Sequence, residues 1–419
     1  MLDFHKLIPQ IALIGEDSVL PDQQDNENLR LAQETFEEAQ ADPARLMELI
    51  LENGGNAFWP VALPLEVFGS AQMIEPLQDA HSVVACDGSQ IMPTQHEVIS
   101  CYLLNVGAAV IYYAGLDSEA SDAKVASAAH NTESAKKDKS EAMLASYPKL
   151  YHRSDELYPL VNQRRVHIDE ALVSFERGVQ ELQKAFEFAE SEQSKGRKVL
   201  TVLDGSLIPW AVDKNADRSQ QELLERFGVE LDAFNAARLP LVGYVSHSRS
   251  SDIVNLLRLW RCPYSQIRCQ ALCGNLNEED FPCSAIWPLS DRQLLSSKLP
   301  VGERSSFFLT GASWSQSLAF RNQVCFAYLN TGGESARVEI PRWLFEDKEM
   351  LAFAQSALLM QIKRGHGYPI TLSEAHSQAI VRQADRSQFF SLVQEQLVRL
   401  GQQKISVSPK ENRKRQGIL

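Results

Sequence analysis

Residues 83–91 read Val-Val-Ala-Cys-Asp-Gly-Ser-Gln-Ile, and residues 200–208 read Leu-Thr-Val-Leu-Asp-Gly-Ser-Leu-Ile. Each is an apolar run, then Asp-Gly-Ser, one further residue and Ile. A short apolar run closed by turn residues predicts a buried strand followed by a turn. The aspartate then falls where the strand emerges from its sheet, and the glycine allows a sharp turn and close approach of a backbone or a phosphate. Ligand sites in open sheets gather at such strand ends. Two carboxylates converging there, Asp87 and Asp204, repel each other. A divalent cation between them removes the repulsion, and oxygen ligands suit Mg²⁺ or Mn²⁺.

Outward from these two runs the pattern is that of an α/β protein with a mixed sheet. Residues 1–75 read as mostly helical, with polar helices over 29–40 and 43–53 and an acidic patch at Asp22, Asp25 and Glu27. Segments 97–107 and 108–115 predict two strands joined near Asn105 and Gly107 as a hairpin. Residues 117–142 are small, polar and charged, without aromatics, and predict a flexible insertion. From about Glu156 to Gln193, Ile168, Leu172, Phe175, Val179, Leu182, Phe186 and Ala189 recur at spacings of three and four. They form one apolar stripe on a long helix. Further strands are expected at 238–250 and within 304–345. Helices are expected at 219–231, 250–260, 350–365 and 372–401.

The long helix offers a third acid. Glu176, Glu187 and Glu190 fall at or near the edge of the stripe, while Glu170 and Glu181 are expected to point to solvent. The helix runs antiparallel to the strand ending in Asp204, and Glu187 is expected closest to its level, with Glu176 further out. A last candidate is Gly365-His-Gly-Tyr-Pro-Ile-Thr-Leu-Ser-Glu-Ala-His376, in which Tyr368 and His376 stand eight residues apart around a helix start. His376 there is a ligand, a proton carrier or a phosphate contact.

Composition narrows the class. The 419 residues are 44% hydrophobic, enough for a large core, and no window is apolar enough to span a membrane. The N-terminus lacks the basic leader and cleavage site of a signal peptide. Seven cysteines, an odd number spread along the chain, predict reduced thiols and a cytoplasmic protein. Cys262, Cys269, Cys273 and Cys283 lack a Cys-x₂-Cys pair, so they read as free thiols rather than zinc ligands. The net charge of −13 opposes nonspecific DNA binding, so any DNA surface must be local. Arg249, Arg258, Arg261 and Arg268 form one basic segment; Lys410, Arg413, Lys414 and Arg415 form a basic tail.

The series Ala-Cys-Asp-Gly-Ser-Gln (85–90), Val-Leu-Asp-Gly-Ser-Leu-Ile (202–208), Arg-Val-Glu-Ile-Pro (337–341) and Gly-Tyr-Pro-Ile-Thr-Leu-Ser-Glu-Ala-His (367–376) resembles, in that order, the NurA family of nucleases. The resemblance implies an RNase H-like mixed sheet flanked by helices, here with a helical N-terminal extension (1–75). A nuclease domain over 76–400 and a basic tail over 401–419 follow. It implies Asp87 and Asp204 as metal-binding aspartates, Glu187 or Glu176 as the third ligand, and Tyr368 and His376 as the remaining active-site pair. It further implies Mn²⁺ or Mg²⁺ dependence, 5′ to 3′ exonuclease and single-strand endonuclease action on DNA, a homodimer, and work with a hexameric HerA-type ATPase in double-strand break processing. Ser89, Ser206 and Arg249 are the expected DNA contacts. Family members often carry a lysine where Val-Ser-His-Ser-Arg-Ser-Ser-Asp-Ile-Val (245–254) has His247 and Arg249, and Arg249 replaces its charge but not its geometry. That departure and the acidic surface keep two rivals open: a non-catalytic assembly partner of a DNA-translocating ATPase, and a metal-dependent phosphohydrolase acting on RNA or nucleotides.

Overall fold

The computed structural model describes residues 3–17, 19–92, 100–115, 141–161, 164–209, 218–312, 315 and 317–401. Residues 117–140 of the polar insertion, and the basic tail beyond Gly401, lie outside the described residues. The chain divides into two compact units. One gathers residues 1–74, 245–316 and 323–339; the other gathers 75–244, 317–322 and 340–419.

The second unit holds both Asp-Gly-Ser segments. Its strands lie in the order Leu241–Val245, Val199–Asp204, His81–Ile91, Tyr102–Tyr113, Glu141–Tyr151. The first three are mutually parallel, and the last two join antiparallel. The result is a mixed sheet flanked by helices, the α/β architecture expected. The long helix Glu170–Ser194 packs on the Asp87, Asp204 and Tyr102 strands, and helix Ile370–Ala379 packs on the Asp87, Tyr102 and Glu141 strands. A strand covered on both faces buries every residue, which is why Val83, Val84, Ala85 and Cys86 are all fully buried and the run shows no alternation.

Three details differ from the sequence reading. The Asp87 strand does not turn at Asp-Gly-Ser; it runs on to Ile91. Residues 102–113 are one strand rather than a hairpin near Asn105 and Gly107, and the antiparallel partner is the Asp87 strand itself, with Asp87 opposite Gly107. Gly107 breaks no pairing: a side chain there would strike the backbone of Ala375 and Ala379, so it marks where a helix lies on the sheet. Finally, Glu141 opens an edge strand that carries no alternation signal, because most of its residues are exposed and backbone pairing holds it.

In the first unit, helices Phe4–Asp17, Val19–Ala41 and Pro43–Asn53 form as the sequence predicts, the last capped by Asp42, whose side chain accepts the Arg45 N–H at 3.1 Å. The core includes Phe36, Leu46, Ile253, Leu257, Phe308 and Phe326. It encloses a fully buried Arg337, held at 2.7 Å by Asp252 and at 2.7 Å by Glu339. A buried guanidinium requires such carboxylate partners, since an unpaired charge in a core is severely destabilising. Among the described residues, no helix is long and apolar enough to cross a membrane.

Candidate metal centre

Side chains alternate along a strand, so Asp87 and Gly88 face opposite sides of the sheet. Asp87 and its cross-strand partner Gly107 share one face. The bare backbone of Gly107 lets helix Ile370–Ala379 settle onto that face, and the helix delivers His376, whose Nδ1 lies 2.7 Å from Asp87 Oδ2. The Asn105 amide donates to the Ala379 carbonyl at 2.8 Å, and the Ser89 hydroxyl donates to the same oxygen, pinning the helix end.

Asp204 reaches the same neighbourhood along the adjacent parallel strand, where Cys86 pairs with Leu203. Gly205 then turns the chain at φ +103°, a conformation suited to glycine, and its N–H donates to the Tyr244 carbonyl at 2.9 Å. The Tyr368 hydroxyl donates to the Asp204 carboxylate, and the Tyr368 ring sits edge-on to buried Tyr244 with centroids 5.3 Å apart. The Gly-His-Gly-Tyr-Pro segment makes this possible. Gly365 has no room for a side chain against the Tyr368 carbonyl, Gly367 adopts φ +111°, and Pro369 leads directly into helix Ile370–Ala379. One short turn and helix start thus send Tyr368 to one aspartate and His376 to the other.

Ligand atoms of Asp87, Asp204 and His376 all lie within 4.8 Å of one another. Burial pushes the Asp204 carboxyl up although its side chain still meets solvent, and the charge of Asp87 adds to the rise. On the opposite face, a side chain at Gly88 would collide with Glu181 Oε1 and the stem of Arg177. Glu181 is buried there, and its carboxyl is pushed up to about 8, first by burial; Arg177 opposes the rise and the charges of Asp87 and Asp204 add to it. Arg177 Nε stands 3.3 Å from Glu181 Oε1, but neither atom makes a hydrogen bond among the described residues.

The structure therefore brings together Asp87, Asp204, Tyr368 and His376; Glu181 lies behind Gly88 on the other face of the sheet, near enough for the charges of Asp87 and Asp204 to act on it. It does not bring Glu176 or Glu187 to them. Arg226 grips Glu176 with two contacts of 2.7 and 3.1 Å, and Glu187 is exposed and paired with Lys184. The expectation that Glu181 faces solvent is corrected. Five strand steps of about 3.3 Å, from Val199 to Asp204, cover the length of about eleven helical residues at about 1.5 Å each. Counted back from Ser194, the helix comes level with Asp204 near residue 183, next to Glu181 rather than Glu187. Buried Ala185, four residues on, shares its face and was the available signal, as was Glu192 three turns on, buried and bonded to Ser82 at 2.6 Å. Of the expected DNA contacts, Ser89 spends its hydroxyl proton on Ala379, Ser206 accepts the Ile208 N–H at 3.0 Å, and Arg249 is exposed in the first unit.

The donor set fits a hard divalent cation. It offers carboxylate oxygens and one imidazole, and its like charges are incompletely offset. Fold and site together define an acidic cluster that could hold a cation, on two neighbouring parallel strands of an α/β sheet. The chain belongs to the NurA family: the NurA domain model matches residues 81–381, from the first residue of the Asp87 strand to just past the His376 helix. The family is nuclease-related, which points to a role in DNA end processing. No curated protein matches the chain.

Proposed function

We propose that this protein is a metal-dependent DNA nuclease in which Asp87 and Asp204 hold divalent metal, with the buried carboxyl of Glu181 supporting them from the other face of the sheet. The observation that carries the reading is the convergence of Asp87, Asp204 and His376 within 4.8 Å. A divalent cation, Mn²⁺ or Mg²⁺, supplies Lewis-acid activation of the scissile phosphate and of water when bound. The protein's own groups do the rest. The Tyr368 hydroxyl fixes the rotamer of the Asp204 carboxylate. His376, with Nδ1 committed to Asp87 and its ring exposed, offers Nε2 to hold or pass a proton near the departing oxygen. Arg177 offsets part of the acidic charge from behind the sheet.

The sheet, three antiparallel strands continued by two parallel ones, supports the RNase H-like reading. In keeping with the family, we infer 5′ to 3′ exonuclease and single-strand endonuclease action, a homodimer, and a HerA-type ATPase partner. Arg249 and the basic tail are the expected backbone contacts. The test is digestion of labelled single-stranded DNA with Mn²⁺. Asp87→Ala and Asp204→Ala are expected to stay folded and to fall to background. Wild-type rates in either variant would remove the assignment, and an inactive wild type that still bound a HerA-type ATPase would favour the assembly-partner role.

A further inference from the structure

The rows that cross the sheet place further polar residues beside the helix that carries His376. Asp87 lies opposite Gly107, and Gly107 lies opposite Ser146 on the edge strand Glu141–Tyr151. In the next row Ser89 lies opposite Asn105. Residues two apart on a strand share a face, so Ser89, Asn105 and Ser146 stand on the face of Asp87, where helix Ile370–Ala379 packs. A helix leaves its last carbonyls without partners of its own. Here the sheet supplies the donors.

Asn105 is buried and commits both ends of its amide. Its Nδ2 donates to the Ala379 carbonyl at 2.8 Å and to the Gln378 carbonyl at 3.2 Å, while its Oδ1 accepts the Ser146 hydroxyl at 2.7 Å. The Ser146 bond decides which way the amide faces. Turned over, Oδ1 would meet two carbonyl oxygens and could accept nothing there. Ser146 itself is exposed. His376 stands three residues before Ala379, about 4.5 Å along the helix. Whatever holds that helix end therefore sets the height of the imidazole over Asp87.

We infer that Asn105 is a positioning residue for the metal centre, acting through His376, and that Ser146 orients it from the edge strand, two strands away from Asp87. The inference rests on the reading of Asp87, Asp204 and His376 as a metal site. Without the Asn105 donor, two carbonyls at the helix end lose their partner, and His376 Nδ1 is no longer held at 2.7 Å from Asp87 Oδ2. Losing a group that supports metal ligands costs about 10- to 100-fold in metal affinity or activity. Ser89 shares the task, since its hydroxyl donates to the same Ala379 oxygen.

The test measures Mn²⁺ affinity by calorimetry and single-turnover cleavage of labelled single-stranded DNA, both on the full chain. Asn105→Leu keeps the size and removes the donor; about tenfold weaker Mn²⁺ binding and about tenfold slower cleavage are expected, with DNA affinity unchanged. Ser146→Ala should lose severalfold in the same two quantities. Groups that act through one partner are non-additive, so in a His376→Gln background neither substitution should weaken Mn²⁺ binding further. Full losses in that background, or wild-type Mn²⁺ affinity in Ser146→Ala, overturn the inference. Ser146 is exposed, so its variant decides even if Asn105→Leu fails to fold. Wild type that binds no Mn²⁺ removes the metal-site reading and this inference with it. Wild type that binds Mn²⁺ but cuts no DNA removes the nuclease reading alone, and the affinity comparison then decides.

Discussion

The two Asp-Gly-Ser segments share sequence but not structure. At Asp87 the strand continues through the glycine, and Gly88 is needed because Glu181 and Arg177 press on it from the helix side. At Asp204 the strand ends, and Gly205 is needed because the chain turns at φ +103° with open space around it. One glycine makes room for a neighbour; the other supplies a backbone angle. The partners differ too: His376 serves Asp87 and Tyr368 serves Asp204. A repeated motif can therefore place two like carboxylates together by two unrelated local solutions.

The sharpest test addresses the buried acid behind Gly88. Glu181→Gln keeps shape and removes charge, and Arg177 retains Gln90 as a partner at 2.9 Å. Activity with Mn²⁺ is expected to fall about 100-fold, as for loss of a group supporting a metal site. The metal-free protein should respond in the opposite sense. The folded-state pKa of Glu181 is raised from 4.5 to about 8, so its stabilising contribution is complete below pH 4.5 and is lost as pH rises through 8. Between those values stability should fall by about 1.4 kcal/mol per pH unit from this group. Melting temperatures of metal-free wild type should therefore drop across that window, while Glu181→Gln should hold nearly level and exceed wild type at the alkaline end. Parallel pH curves for the two proteins would show that Glu181 does not carry a buried charge.

The second test separates the two glycines. Gly88→Ala forces Glu181 and Arg177 aside, and a displacement of about 1 Å near a reactive centre costs on the order of 10² in rate. Gly205→Ala meets no atom but must hold a left-handed angle, which costs roughly 1–2 kcal/mol of stability. The expected pattern is an inactive but stable Gly88→Ala and a destabilised Gly205→Ala that keeps most of its rate. Melting curves with single-turnover cleavage read both. Interchanged outcomes would contradict the distinction between the glycines.

Much of this was legible in the sequence. Unbroken runs such as Val83–Cys86 marked buried strands, and the stripe through Phe175, Val179, Leu182 and Ala189 marked the long helix. Tyr368 and His376 were legible as a pair because Gly365, Gly367 and Pro369 announce the turn that aims them. Glu181 was not, because its placement depends on matching strand rise to helix rise over a whole element, and an error of one turn selects a different glutamate. The Glu141–Tyr151 strand was missed because an exposed edge strand has no apolar face to betray it. Cys262, Cys269, Cys273 and Cys283 read as free thiols, and they are free in the structure, although the fold brings all four to line one cavity.

The smallest expected effect comes from Tyr368, which touches Asp204 and leaves the Asp87–His376 pair intact. Its hydroxyl lowers the Asp204 pKa, against the rise caused by burial and by Asp87. Tyr368→Phe removes that donor, so Asp204 should lose its proton at higher pH. A hydrogen bond to a charged group contributes about 1.5 kcal/mol or more, and 1.4 kcal/mol corresponds to one pKa unit. The acidic limb of the pH–rate profile should therefore move upward by about one unit, while the alkaline plateau changes by less than about tenfold. His376→Gln should instead lower the plateau, since it removes a proton carrier and leaves the donor to Asp204 in place. If Tyr368→Phe lowers the plateau and leaves the limb unmoved, Tyr368 acts on the substrate rather than through Asp204, and the division of labour between the two aspartates fails.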